Sequence, residues 1–250
     1  MKIVVISLLT SVDRRAKVIE KLSAKNLAFE FLDAVDGRTD DHPYLKNYNE
    51  KAYLLNRCRT AAPGELGCYV SHLLAWEKCV ALNEPLVVLE DDFELTEDFV
   101  EGLNFVEQFL DKVVFVRLER IKTNYHIASR YKDEKFSLKM QLKVEMCATG
   151  YVITPQGAKA LLTKGREICA PVDVYLRHTS IHKQLMYVLT PFIVYPTHAD
   201  TIIGWEIRKK KQKGLVLKAR RFIHKWFYTI GNVLVNLTNA IPRLWHLGQR

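Results

Sequence analysis

Long apolar runs are missing from this sequence. Although 48% of its 250 residues are hydrophobic, no stretch reaches the roughly 18 uninterrupted apolar residues that a spanning helix needs. A chain that crosses a bilayer by itself is therefore not expected. Cysteine is sparse and badly spaced for pairing: Cys58, Cys68, Cys79, Cys147 and Cys169 are odd in number and form no CxxC. This argues against a disulfide framework and a cysteine zinc site, and fits a reducing cytoplasm. No small-residue cleavage site separates the opening MKIVVISLLT from the charged DRRAKVIEK, so the opening is read as a buried strand and not as a signal peptide. Repeats and low-complexity tracts are absent as well, which removes solenoids and disordered arrays from consideration.

Acidic residues are also missing from one end. From Glu206 to Arg250 there are 11 Lys or Arg and one acid, whereas the preceding 205 residues hold 26 and 27. The net charge of +9 thus belongs to the tail. Before it, the chain is long enough to bury a large α/β core.

The remaining pattern alternates strands and helices. KIVVISLL over residues 2–9 is apolar and β-branched, as a strand covered on both faces should be. Ser11 and Asp13 can cap a helix that leads to a second strand, FEFLDAV, ending at Asp36-Gly37. A polar loop is expected around residues 38–57, then a helix from about Glu65 and a buried strand LVVLE from Leu86. Further strands are expected over Val113 to Glu119, Thr149 to Thr154 and FIVYP, with a helix from Pro155, where proline suits the first turn.

The strand at Leu86 runs into Glu90-Asp91-Asp92, at the strand end where open α/β sheets collect ligands. Three adjacent carboxylates repel and need a cation, solvent or hydrogen-bond donors. Oxygen ligands of this kind suit Mg²⁺ or Mn²⁺, and the alternative is a solvated acidic turn at a helix start. Gly64 to His72 opens a helix with Glu65, Ser71 and His72, which on its own is equally a helix with a first-turn acid and a satisfied histidine.

These pieces together resemble glycosyltransferase family 25, the lipooligosaccharide galactosyl- and glucosyltransferases of Gram-negative bacteria. The carriers are Val5 to Leu8 with Asp13-Arg14-Arg15, Phe31 to Gly37, His42 to Leu45, Gly64 to His72 with Trp76, Leu89 to Asp92, Val116 to Glu119, Ala148 to Thr154, and Pro171-Val172-Asp173. The resemblance implies an α/β, GT-A-like fold over residues 1–205 with a mixed sheet flanked by helices, a UDP-sugar donor, a divalent metal (Mn²⁺ or Mg²⁺) and inversion at the anomeric carbon. It further implies Asp92 as metal ligand with His198 as a second, and Ser7, Leu8, Arg15, Glu90 and Asp91 around the donor. Asp173 is the preferred base and Glu119 the other candidate. Glu65, Ser71, His72, Arg117, Gly150 and Tyr151 are left to acceptor binding or structure. UDP-galactose is the first donor and UDP-glucose the second. A catalytically silent membrane-binding protein and a metal-dependent phosphohydrolase are the readings from other classes.

In the tail, residues 206–250, nine Lys or Arg between Arg208 and Lys225 interleave with aromatic residues. Phe222, Trp226, Ile230, Val233, Leu234, Leu237, Ile241 and Leu244 recur at helical steps and predict a basic amphipathic helix. Such a helix suits the cytoplasmic face of the inner membrane, where a lipooligosaccharide acceptor is found, or packs on the catalytic domain with a solvated basic face. No nucleic-acid-binding module surrounds the cluster.

Overall fold

The computed structural model describes residues 1–120, 126–127, 131–197 and 215–245, with side chains over 1–120, 131–197 and 219–239. The apolar N-terminal run forms β1 (Lys2–Ser7). Ile3 and Val5 enter one core while Val4 and Ile6 enter another, the period-two split of a strand covered on both faces. Helix α1 (Val12–Ser23) returns the chain to β2 (Phe29–Asp33), and β3 (Leu86–Glu90) pairs with β1 on its other side, both in parallel. The other strands are β4 (Phe93–Leu95), β5 (Phe115–Arg117), β6 (His126–Ile127), β7 (Ser137–Gln141), β8 (Gly150–Ile153), β9 (Tyr187–Thr190) and β10 (Val194–Pro196). Among the described residues the main sheet is mixed, in the order β2-β1-β3-β8-β5-β9-β7-β6, with β10 and β4 forming a separate antiparallel ribbon.

Helices cover both faces, as expected for this fold class. Val18 and Leu22 of α1 and Phe99 and Leu103 of α4 (Phe99–Glu107) fill one core. Tyr69, Leu73 and Trp76 of α3 (Pro63–Leu82), with Leu161 of α5 (Pro155–Gly165) and Tyr175 of α6 (Val172–Arg177), fill the other. The short α7 (Thr179–His182), the long α8 (Leu215–Trp245) and α2 (Glu50–Arg57) are the remaining α-helices among the described residues.

Several expected elements differ. Residues 38–57 are not simply a loop: a 3-10 turn occupies Pro43–Asn47 and α2 occupies Glu50–Arg57. Asn49 caps α2 through its side chain, which accepts from Ala52 N at 3.0 Å, and Tyr53 is buried. Helix α3 begins at Pro63, two residues before the expected start, with proline where no amide hydrogen is needed. Ser11 occupies the α1 cap position without a side-chain capping bond. The strand expected over Val113 to Glu119 is reduced to Phe115–Arg117, and FIVYP contributes only Val194–Pro196, outside the main sheet.

A buried ion pair joins α2 to α3. Arg59 donates to both carboxylate oxygens of Glu65 at 2.6 Å, and Tyr53 Oη and Ala62 N each donate to the same carboxylate at 3.0 Å. Glu65 therefore reaches back to the helix start as in half of a capping box, Ala62 having no side-chain acceptor to return. Two glycines bring the β2 exit against α3. A Cβ on Gly67 would lie 2.2 Å from Val35 O and one on Gly37 2.0 Å from Pro63 O, so only bare backbone fits at this crossing.

Removing one partner of a buried, fully bonded pair strands the other charge. Arg59→Ala or Glu65→Ala should each cost about 3–5 kcal/mol in urea unfolding, and the paired replacement Arg59→Met with Glu65→Leu should cost less than either.

Candidate functional site

The chain leaves β1 for β2 on one side and returns to β3 on the other, so the carboxyl ends of β1 and β3 flank a point where strand order reverses. Such points form crevices that receive ligands. Here a cavity of about 130 Å³ is lined by Ser7 at the end of β1, Leu8 just after it, Arg14 from α1, Arg38, and Glu90, Asp91 and Asp92. A second cavity of about 390 Å³ is lined by Arg57, Arg59, Cys147, Thr149, Asp173 and Arg221, among others. Cys68 and Glu90 line both, so they form the wall between them.

The three carboxylates have three different surroundings. Asp91 accepts from Ser7 Oγ at 2.6 Å and from Arg14 Nη1 at 2.9 Å. Glu90 faces His72 Nε2 at 3.2 Å, Thr149 Oγ1 at 3.4 Å and Cys68 Sγ at 3.5 Å. Burial works to raise its carboxyl, but the His72, Cys68 and Thr149 bonds hold it below the ordinary value. Asp92 has no such help: its Oδ1 is buried without a hydrogen-bond partner among the described residues. Burial first, then the charges of Glu90 and Asp91, push its carboxyl up to about 7. Neighbouring acids are thus driven apart in proton affinity.

The bond to Glu90 has a direction fixed from behind. Trp76 Nε1 donates to Tyr151 Oη at 2.9 Å, and His72 Nδ1 lies 2.8 Å from the same oxygen. An indole nitrogen can only donate. The ionised Glu90 carboxylate can only accept, so Nε2 carries the ring hydrogen and donates to it, and in the neutral ring Nδ1 is left to accept the Tyr151 hydroxyl proton. All three residues of this chain are buried.

Cys68, His72 and Glu90 bring ligand atoms within 4.8 Å of one another. Burial, then Glu90, pushes the Cys68 thiol well above its ordinary value, and His72 Nε2 already uses its hydrogen toward Glu90. The group is therefore a hydrogen-bonded cluster. A divalent cation fits better at Asp92, whose Oδ1 is orphaned and whose carboxyl burial, Glu90 and Asp91 raise against the weaker pull of Arg14, with Asp91 beside it.

The other expected residues divide sharply. Arg15 is held by the scaffold: its guanidinium donates to Ser7 O at 2.8 Å, Leu8 O at 3.1 Å and Asp33 at 2.5 Å, and stacks over Phe31. Arg14, its neighbour, lines the cavity instead. Ser71 is buried, accepting from Val35 N and donating to Gly67 O, and Glu65 belongs to the α2–α3 ion pair. Gly150 opposes Leu89 across β8 and β3, leaving room for Val194 and Leu89. Arg117 and Glu119 are fully buried, 3.4 Å apart, and line neither cavity. Asp173 faces the second cavity. Burial raises its carboxyl, and the nearby Arg57 charge works against that rise. His198 lies outside the described residues. Arg14, Arg38, Arg57 and Cys68 line the cavities without having been singled out by the sequence. Arg14 and Cys68 lie inside motifs that carry the family resemblance, whereas Arg38 and Arg57 carried no readable signal.

Because the folded Asp92 carboxyl keeps its proton to about 7 and an unfolded one only to its ordinary 3.8, stability falls as pH rises through that interval and stays lower above it. In EDTA, Asp92→Asn should raise Tm by roughly 5 °C at pH 8, an advantage that shrinks toward pH 4. Mn²⁺ should then raise the Tm of the wild type more than that of the variant. Tyr151→Phe leaves His72 Nδ1 and the Trp76 N–H unpaired and should cost about 1–3 kcal/mol in chemical denaturation.

A model of glycosyltransferase family 25 (LPS biosynthesis protein) matches residues 1–176. A glycosyltransferase 25 family member from Aedes aegypti is 29% identical over 221 residues, covering 74% of this chain and 34% of that protein. A Haemophilus influenzae protein named as a glycosyltransferase is 30% identical over 184 residues, 71% of this chain and 63% of its own length. The lipooligosaccharide biosynthesis protein lic2B of Haemophilus influenzae is 27% identical over 259 residues, 96% of this chain and 91% of that one. The chain thus spans a third of the mosquito relative and under two thirds of the first bacterial one. Likeness to solved structures is low: A197 from STIV gives a TM-score of 0.37 at 13% identity, over 75% of this chain and 81% of that one. The matched span contains both the sheet reversal and the acidic cluster, and the chain belongs to glycosyltransferase family 25.

Proposed function

We propose that the protein is a glycosyltransferase that moves a hexose from a UDP-sugar to a lipooligosaccharide acceptor at the cytoplasmic face of the inner membrane. The sugar is galactose, transferred with inversion to a β-linkage, with UDP-glucose as the alternative donor. One observation carries the reading: two cavities share a wall at Glu90 and Cys68, one beside the acidic cluster and the other beside Asp173. Transfer needs two substrates that meet, and a hydrolase needs only one.

In this reading the first cavity takes the donor. Arg14 and Arg38 bring positive charge toward the diphosphate, and Ser7 and Leu8 flank the nucleoside. A divalent cation held by Asp92 with Asp91 would neutralise charge on the departing diphosphate. Glu90, kept ionised by the His72 bond, sits where positive charge grows on the sugar ring. The acceptor enters the second cavity. Asp173 takes the proton from its hydroxyl as that oxygen attacks the anomeric carbon on the side opposite UDP, and this order inverts the configuration. A raised carboxyl is the better base, because proton affinity and ionised fraction are then closer to balance at neutral pH. Family membership and the likeness to lic2B support the nucleotide-sugar donor and the oligosaccharide acceptor.

The test is UDP release from UDP-galactose or UDP-glucose with Mn²⁺, with and without truncated lipooligosaccharide. Release should depend on acceptor and metal and favour one donor. Asp173→Asn should lower kcat by about 10²–10⁴-fold with a small change in KM for donor. Release that is fast without acceptor would favour a phosphohydrolase, and none under any condition a silent protein.

A further inference from the structure

Helix α8 is docked inside out. Its inward face is polar: Asn232 donates to Arg177 O and accepts from Ser180 N, Asn236 donates to Leu142 O, and Asn239 donates to Lys183 O. Tyr228 stacks on His178 with ring centroids 4.1 Å apart, and Arg221 Nε donates to Asn56 O. Its outward face is apolar. Phe227 is 74% exposed, Phe222 63% and Trp226 55%, and Ile230, Leu234 and Leu237 continue the stripe. An amphipathic helix of a water-soluble body buries the opposite face, and a contiguous exposed stripe of this length marks an interaction surface.

Charge decides what covers it. Helix α8 contains five Lys or Arg and no acid, and the exposed Arg220 and Lys225 flank the stripe on its two sides. A second copy packed face to face would bring these like charges together with no carboxylate on the helix to offset them. No described helix is long and apolar enough to cross a membrane. We propose that α8 lies flat in the headgroup region of an anionic lipid surface, with its aromatic stripe toward the acyl chains and its basic flanks on lipid phosphates.

The geometry gives this surface a use. Arg221, on the inward side of the same helix, lines the cavity that holds Asp173. The helix therefore stands between lipid and the second cavity, with one face on each. This deepens the proposed function by fixing which side of the protein meets the membrane, and it rests on that reading only for the identity of what enters the cavity.

The full-length protein is sedimented with vesicles of phosphatidylcholine and phosphatidylglycerol, and with phosphatidylcholine alone. Binding should need the anionic lipid and weaken with salt. Phe222→Ser with Phe227→Ser should lower the partition coefficient at least tenfold while leaving Tm and UDP release on a soluble acceptor unchanged. Trp226→Phe should retain binding but lose a fraction of the fluorescence quenching caused by brominated acyl chains. The proposal is overturned if the wild type does not bind, if the serine variant binds as well as the wild type, or if Trp226→Phe leaves quenching unaltered. A wild-type dimer that the serine variant converts to monomer, with no lipid binding by either, would assign the stripe to a second copy instead. Vesicle binding and UDP release are separate readouts, so failure of the enzymatic reading leaves this result standing and the reverse holds too.

Discussion

Three carboxylates in succession at the end of β3 are the constraint around which the site is arranged. Like charges at adjacent residues cannot share one solution, and each is answered from a different part of the chain. Asp91 is met by β1 and α1 through Ser7 and Arg14. Glu90 is met by α3, but through a buried chain that begins at Trp76 and passes by Tyr151 of β8. Asp92 keeps one carboxylate oxygen, Oδ1, buried without a hydrogen-bond partner among the described residues. The sheet order, the glycine crossing that seats α3 against the β2 exit, and the antiparallel placement of β8 beside β3 all serve to bring these answers to one edge.

That unequal treatment separates roles without separating residues far in space. A carboxylate bonded from behind stays ionised and oriented, whereas one buried without a donor prefers a proton or a cation. The wall at Glu90 and Cys68 belongs to the first kind and faces both cavities, so its charge is available to whatever occupies either. Polar chains of this type lose much of their value when one link is removed, because each member is buried and has no water to replace the missing partner.

How much of this was legible depends on what range of the chain carried the information. β1, β3 and the acidic triplet were readable because β-branched runs and a strand-end acid cluster are local signals. Helix α2 was not: EKAYLLNR is only half apolar and two turns long, and its formation depends on the Asn49 cap and on burying Tyr53 beside Glu65. Strands β7 and β9 are short and have no turn signal strong enough to mark them. Arg14 and Arg15 are adjacent, so only the set of the helix against the sheet decides that one reaches Asp91 and the other the backbone of Ser7 and Leu8. Glu65 reads as a first-turn acid, and its real partner, Arg59, lies beyond a helix break where no periodicity applies. Glu119 and Asp173 both matched family motifs, with Asp173 preferred, and only the fold distinguishes a fully enclosed carboxyl from one that faces a cavity.

The asparagines on the inner face of α8 have a consequence beyond adhesion. Apolar contacts would let a helix roll with little penalty, since one hydrocarbon surface resembles another. Side-chain amides bonded to particular main-chain atoms at Arg177, Ser180, Leu142 and Lys183 act as an index, and a turn of one residue about the axis would break them all together. The azimuth of the aromatic stripe is therefore set from within the protein, so the helix arrives at any surface already aimed.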